Sequence, residues 1–129
     1  MTKYNNYIDI GTGDGENKIA ILDPNATEKD PITGVTVMNE VITILGPTPN
    51  PDGGVKEWCI NSAAVDIPGK SVMANSEDGN LYRWDLTNNT LSQKIALTAG
   101  IGEAYTPTVI GVDGTAYAIN DAILFAIGN

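Results

Sequence analysis

The sequence predicts an all-β chain of short antiparallel strands joined by tight turns, and three observations predict it. The composition leans on Gly, Asn, Thr, Val and Ile, with 14 glycines, a mixture that favours pleated strands and tight turns over helices. Short alternating apolar runs end in turn pairs such as Asp14-Gly15, Pro68-Gly69, Asp78-Gly79 and Asp113-Gly114, which supply the backbone angles that hairpins need. The third observation is a repeat. The stretch from Ala63 to Asn75 returns from Pro107 to Asn120, and each copy runs into a second apolar strand, Leu81 to Asp85 and then Ile123 to Ile127. A spacing of roughly 45 residues filled with short strands is that of a radial β-array, the propeller arrangement. A compact β-sandwich is the alternative, but a sandwich has no reason to return one strand–turn pattern at that interval.

The elements follow in order. Tyr7-Ile8-Asp9-Ile10-Gly11 alternates and reads as a strand, and Thr12 to Asn17 as a Gly-rich turn. Lys18 to Leu22 is the returning strand, ended by Asp23-Pro24-Asn25, and a polar excursion runs from Ala26 to Gly34. Val35 to Met38 and Val41 to Leu45 read as two further strands. Gly46 to Gly54, rich in Pro and Gly, is a loop. The better-formed unit holds four strands joined by hairpins, Cys59–Val65, Ser71–Asn75, Asn80–Asp85 and Leu91–Leu97. Thr98 to Tyr105 carries the chain to Thr108–Gly111, Thr115–Ile119 and Ala122–Ile127. The helical period is absent from every long window. The expected organisation is therefore a partial blade over 7–46, a full blade over 57–97 and a partial blade over 106–127. About two and a half blades cannot close a ring. The chain is expected to be the C-terminal part of a larger propeller, or to assemble with copies of itself through its open blade edges.

Composition limits the chemistry. The formal net charge is −9, and an acidic surface repels both phosphate backbones and anionic membranes. Neither nucleic acid nor membrane is an expected partner. The sequence holds 0 histidines, which removes His-based proton transfer, His-containing triads and His-ligated zinc. The single Cys59 cannot form an internal disulfide, and its neighbours Trp58 and Ile60 mark it as a buried thiol. No segment reaches the roughly 18 apolar residues of a membrane helix, and Met1 to Asn6 lacks the apolar run of a signal peptide.

One pattern carries a resemblance. Asp78-Gly79-Asn80-Leu81-Tyr82-Arg83-Trp84-Asp85, with Asn61 to Asp66 before it and Asp113 to Ile119 after it, resembles the repeats of quinoprotein-like (PQQ-like) β-propellers. Those repeats read as a small-residue inner strand, a Gly-marked turn, an alternating strand, Asp-Gly, an aromatic-containing strand and an Asp. Leu124 to Gly128 is similar to the way such propellers end. The resemblance implies four-stranded blades. It does not carry the cofactor over: Asp85 is followed by Leu86-Thr87-Asn88-Asn89, and Gln93 stands where the docking Trp of quinoprotein dehydrogenases is expected. Asn89 can take the left-handed conformation in place of Gly.

In a blade the loops fall at two opposite ends. One end gathers Thr12–Asn17, Gly46–Trp58, Ser76–Gly79, Thr98–Tyr105 and Asn120-Asp121. From it, Trp58, Glu77, Asp78, Glu103 and Tyr105 are the candidate ligand-binding residues. No catalytic set and no metal set is assigned. A carboxylate-rich rim suits Ca²⁺ chemically, but no run matches the alternating-Asp calcium loop, and solvated hairpin acids are the plainer reading. Trp58, Tyr82, Trp84 and Tyr105 are read as packing between blades ahead of a sugar-stacking platform. Arg83, between Tyr82 and Trp84, points to the opposite sheet face, where a rim acid is its expected partner. The expected function is a non-catalytic binding or scaffold module for a protein or carbohydrate ligand. The competing expectation is a propeller piece of an extracytoplasmic hydrolase or PQQ-like oxidoreductase whose catalytic residues lie outside this chain.

Overall fold

Three antiparallel sheets follow one another along the chain and stack as layers. The structure, a computed structural model, describes residues 1–4, 6–8, 10–31, 33–58, 62–98 and 105–128. Among them there are only strands, turns and loops. The first sheet has the order β1 (Thr2–Tyr4), β2 (Lys18–Lys29), β3 (Thr36–Leu45). The middle sheet is a four-stranded meander of β4 (Ala64–Asp66), β5 (Ser71–Asn75), β6 (Asn80–Asp85) and β7 (Thr90–Ala96). The third is a meander of β8 (Val109–Ile110), β9 (Ala116–Asn120) and β10 (Ile123–Ile127).

The middle and third sheets form where the turn chemistry placed them. The first departs from expectation. Tyr7 to Gly11, expected as a strand, lies in turns among its described residues: Ile10 N–H donates to Tyr7 O (3.1 Å), Gly13 N–H donates to Ile10 O (3.1 Å), and Gly11 has φ 63°. Asp9 lies outside the described residues. The backbone at Gly13 approaches Tyr7 O so closely that a Cβ would sit 1.9 Å from it, so this segment folds onto itself and does not pair. β1 takes its place beside β2, with Lys3 opposite Ile19. The polar excursion is also corrected. β2 continues through Pro24 to Lys29, and the two expected strands after it are one strand, β3. Register shifts at Ile21/Leu22 and Asp23/Thr27 absorb the proline. Beyond β1's short reach that side of β2 is an edge, where a missing N–H costs no ladder bond. Of the expected strand Cys59–Val65, residues Cys59 to Asn61 lie outside the described residues.

Strand alternation assigns each sheet two faces. In the first sheet Ile19, Ile21, Ile42 and Ile44 turn toward the middle sheet. They meet Val72, Ala74, Tyr82 and Trp84, with Trp58 between the layers. Trp58 and Trp84 are fully buried, and a buried Trp removes enough apolar surface to contribute about 4–6 kcal/mol before conformational entropy is set against it. The opposite face of the middle sheet presents Met73 and Leu81 to Ala116, Ala118 and Ile127 of the third.

Burial also fixes how the copies of the repeat correspond. Val72 and Ala74 face back to the sheet before them, and so do Ala116 and Ala118. Tyr82 and Trp84 correspond in the same way to Phe125 and Ile127 on the next strand. The forward face of each sheet therefore packs on the backward face of the next, head to tail. The sequence expectation that Asn89 adopts a left-handed conformation holds, with φ 53°.

Candidate functional site

The loops at one end of the stack are tied into a continuous rim. Val55 N–H donates to Gly15 O (3.0 Å), and Gly46 N–H donates to Asn17 O (2.8 Å). The buried Asn17 donates its Nδ2 to Val55 O (2.7 Å). Glycine is required where the loops cross: a Cβ on Gly54 would lie 2.4 Å from Gly15 O, and one on Gly15 2.8 Å from Gly54 Cα. The connector then reaches the middle sheet, where Glu77 N–H (3.1 Å) and Ser76 Oγ (3.2 Å) both donate to Glu57 O. From there Leu97 N–H (2.8 Å) and Thr98 N–H (3.2 Å) donate to Gly79 O.

Asp78 is the centre of this rim. Its carboxylate accepts from Thr48 Oγ1, from Tyr82 OH (2.6 Å) and from Asn80 N–H (3.0 Å). Partial burial pulls its pKa up, but the bonds from Thr48, Tyr82 and Asn80 together outweigh burial and hold it below the ordinary 3.8. The same contact works in reverse on Tyr82. Burial first, and donation to the Asp78 carboxylate second, push its phenol up to about 12. Asp78 is thus a half-buried acceptor that ties the Gly46–Trp58 loop to the β5–β6 hairpin.

A second polar cluster joins the middle sheet to the third. Asn75 and Asn120 are both fully buried. Asn120 Nδ2 donates to Asn75 Oδ1 (3.2 Å), Asn75 Nδ2 donates to Ile119 O (2.9 Å), and Thr98 Oγ1 donates to Asn120 Oδ1 (2.7 Å). Thr48, Thr98, Asn75 and Asn120 stand outside the candidate residues of the sequence. The two asparagines left a signal, since each closes a strand of small residues in its copy of the repeat. Tyr7, whose hydroxyl donates to the Glu57 carboxylate, left none.

The candidates separate. Glu77 is half-buried on the β5–β6 turn, and Tyr105 is 54% exposed. Glu103 lies outside the described residues. Trp58 corrects the expectation that placed it among ligand contacts: it is 0% exposed and meets Tyr82 edge-on at 5.6 Å. A Trp inserted between two sheets has no face left for a ligand. With Tyr82 and Trp84 it forms packing between layers. Arg83 lies on the opposite face from Tyr82, as alternation requires. It donates to Asp66 (2.8 Å) and Ser71 (2.9 Å) at the other end of the sheet. Among the described residues no three His, Cys, Asp or Glu side chains cluster as a metal site would need. The rim acids Asp14 and Asp78 already accept backbone amides and side-chain donors.

Comparison with known proteins finds no matching family model and no matching curated protein.

Proposed function

We propose that the three sheets are blades of a quinoprotein-like β-propeller and that the chain works as a binding or scaffold module, its ligand held at the loop rim. The observation that carries this reading is the head-to-tail stacking, in which the forward face of one sheet meets the backward face of the next, with residues 12–17, 46–58 and the β5–β6 turn tied together at one end. Stacking of that kind fits a radial array, where each blade is rotated from the last by the same operation. In this reading the half-buried Glu77 stands beside a hydrogen-bonded floor centred on Asp78, and the exposed Tyr105 is a further expected ligand contact. Exposed aromatic and carboxylate groups suit a carbohydrate or a polar protein surface. With 0 histidines in the sequence, the proton-transfer chemistry most enzymes use would have to come from other groups.

The test is amide chemical-shift mapping against an oligosaccharide panel, with hydrolytic turnover followed in the same samples. The reading expects shifts confined to residues 12–17, 46–58, 76–79 and 105, with the sugars recovered intact. Turnover without saturable binding, or shifts centred on the opposite end around Asp66 and Arg83, would overturn it.

A further inference from the structure

Asp14, Asp52, Asp78 and Asp113 are each followed directly by glycine. Such a pair is chemically unstable, because a glycine nitrogen has no side chain of its own residue to shield it and its backbone turns freely enough to bring it onto the aspartate carboxyl. The four glycine amides are alike in being engaged. Gly15 N–H donates to Asn6 O (2.7 Å), Gly53 N–H to Asn50 O (3.0 Å), Gly79 N–H to Ser76 O (3.1 Å) and Gly114 N–H to Gly111 O (3.0 Å). The carboxylates differ. Asp14 accepts from Asn6 Nδ2 (2.8 Å) and Glu16 N–H (2.9 Å). Asp113 accepts from Thr115 N–H and Thr115 Oγ1, both at 3.0 Å. Asp78 accepts from Thr48, Tyr82 and Asn80. These bonds aim each carboxylate away from its own glycine amide and hold it ionised, with a pKa below the ordinary 3.8. Asp52 is exposed, and among the described residues its carboxylate has no hydrogen bond and no ion pair.

We propose that Asp52 is a site of spontaneous isomerisation, where the main chain reroutes through the aspartate side chain and loosens the loop that ties the first sheet to the middle one. In the reacting step the Gly53 nitrogen attacks Cγ of the protonated Asp52 carboxyl. The N–Cγ bond forms, the Cγ–OH bond breaks, and the hydroxyl leaves with the amide proton as water, closing a five-membered succinimide. Water then adds to one of the two ring carbonyls. Opening at Cγ restores aspartate. Opening at the main-chain carbonyl gives isoaspartate, with the mass unchanged and one extra carbon in the backbone.

That carbon enters a turn with no slack. Pro49 bridges Val55, and Asn50 N–H donates to Gly54 O (3.1 Å). Gly54 crosses Gly15 so closely that neither position has room for a Cβ. Lengthening the chain between Asp52 and Gly53 displaces Gly54 and, with it, the bond from Val55 N–H to Gly15 O. The reaction needs neither the blade arrangement nor a ligand.

The experiment ages the full chain in warm, mildly acidic buffer, folded and in urea, and maps isoaspartate over time. Trypsin places the four pairs on separate peptides, 4–18, 30–56, 71–83 and 95–129, and chromatography resolves each isoaspartyl peptide from its isobaric parent. Within 30–56, Asp30 precedes Pro31, which has no N–H to attack, so the signal there is that of Asp52. In the folded chain isoaspartate is expected to accumulate in 30–56 about tenfold faster than in the other three peptides, which must first break a bond to a charged acceptor. In urea the four should react at similar rates. Asp52→Glu, which keeps the charge but would have to close a six-membered ring, should lose the signal, with a thermal melt verifying its fold. The Val55 amide should exchange faster in aged wild type than in aged Asp52→Glu. Equal rates at the four pairs in the folded chain, a faster rate at Asp14, Asp78 or Asp113, the same ranking in urea, or a signal in 30–56 that persists in Asp52→Glu would overturn the site. Isoaspartate at position 52 with unchanged exchange at Val55 would overturn the loosening of the loop.

Discussion

Replacing Asp78 with Asn tests whether the rim is held by one ionised acceptor. The carboxylate receives three donors, from Thr48, Tyr82 and Asn80. An amide keeps one acceptor oxygen and puts an NH₂ where the second oxygen took two hydroxyls. Hydrogen bonds to a charged acceptor contribute about 1.5–3 kcal/mol each, and hydroxyls that rotate to accept from the new NH₂ recover part of that. The net cost is about 2 kcal/mol, or a drop of about 1 M in the urea midpoint for an m-value of about 2 kcal/mol/M. The pH dependence carries the sharper test. The folded pKa lies below the ordinary 3.8, so the stabilisation is present above that value. It is lost as pH falls through the folded pKa. Urea melts of wild type and Asp78→Asn at several pH values should therefore show a gap that is widest at about pH 6 and narrows below 3.8. A gap that stays constant down to about pH 2 would refute the role given to the charge. A variant within about 0.5 kcal/mol of wild type at neutral pH would refute the role given to the cluster.

Three further outcomes follow from single contacts. Tyr82→Phe should remove a phase near pH 12 from the ultraviolet phenol titration, because that phenol is held neutral by burial and by Asp78. Asn89→Gly suits the φ of 53° yet deletes the oxygen that accepts Trp84 Nε1–H at 2.9 Å. It should cost about 1 kcal/mol in a thermal melt, whereas Asn89→Asp should stay near wild type. Ala122→Gly should stabilise by about 0.5–1 kcal/mol, since Ala122 holds φ 59° beside Asp121 at 50° in a two-residue hairpin turn.

The middle and third sheets were legible because their boundaries are set locally. Asn80–Asp85 begins after an Asp-Gly turn and ends at Leu86-Thr87, and no distant contact is needed to place it. The first sheet was less legible because its decisive events are tertiary. The alternation of Tyr7 to Ile10 suits a strand, but pairing goes to Thr2–Tyr4 once Gly13 closes on Tyr7 O. Pro24 is an ordinary strand stop, yet here a register shift and an open edge absorb it. In the site, Asp78 and Glu77 were visible as turn acids, but that Thr48 of a distant loop and Tyr82 both donate to the Asp78 carboxylate is a tertiary event, which a sequence does not display. Trp58 stood both as packing between blades and as a ligand candidate, and its burial with Tyr82 and Trp84 favours the packing. Its position beside a Cys and a Glu does not reveal that two Ile pairs will arrive from residues 19–44 to cover it.

The acidity of the chain has a structural cause that its net charge conceals. Seven of the ten aspartates in the sequence, Asp14, Asp23, Asp30, Asp66, Asp78, Asp85 and Asp113, accept a backbone N–H from a residue two or three positions ahead. Three of them begin the same Asp-Gly turn, where Gly15, Gly79 and Gly114 have φ of 77°, 84° and 84° and the amide after each glycine donates to the aspartate at 2.9–3.0 Å. A carboxylate fits this turn because it accepts from the backbone and donates nothing. The turn in return favours the charged form. At Asp14 and Asp113 the amide two residues ahead is the leading cause that holds the pKa down, and at Asp85 the Asn88 side chain leads with the Thr87 amide next. A chain that changes direction at the end of nearly every short strand therefore accumulates aspartates in proportion to its hairpins. With Asp23 set aside because it lies within β2, six of the 16 acids sit at strand reversals. Neutralising those turns in acid should loosen the hairpin ends ahead of the Trp58–Trp84 core, because the core's contacts carry no charge and the turns' contacts do.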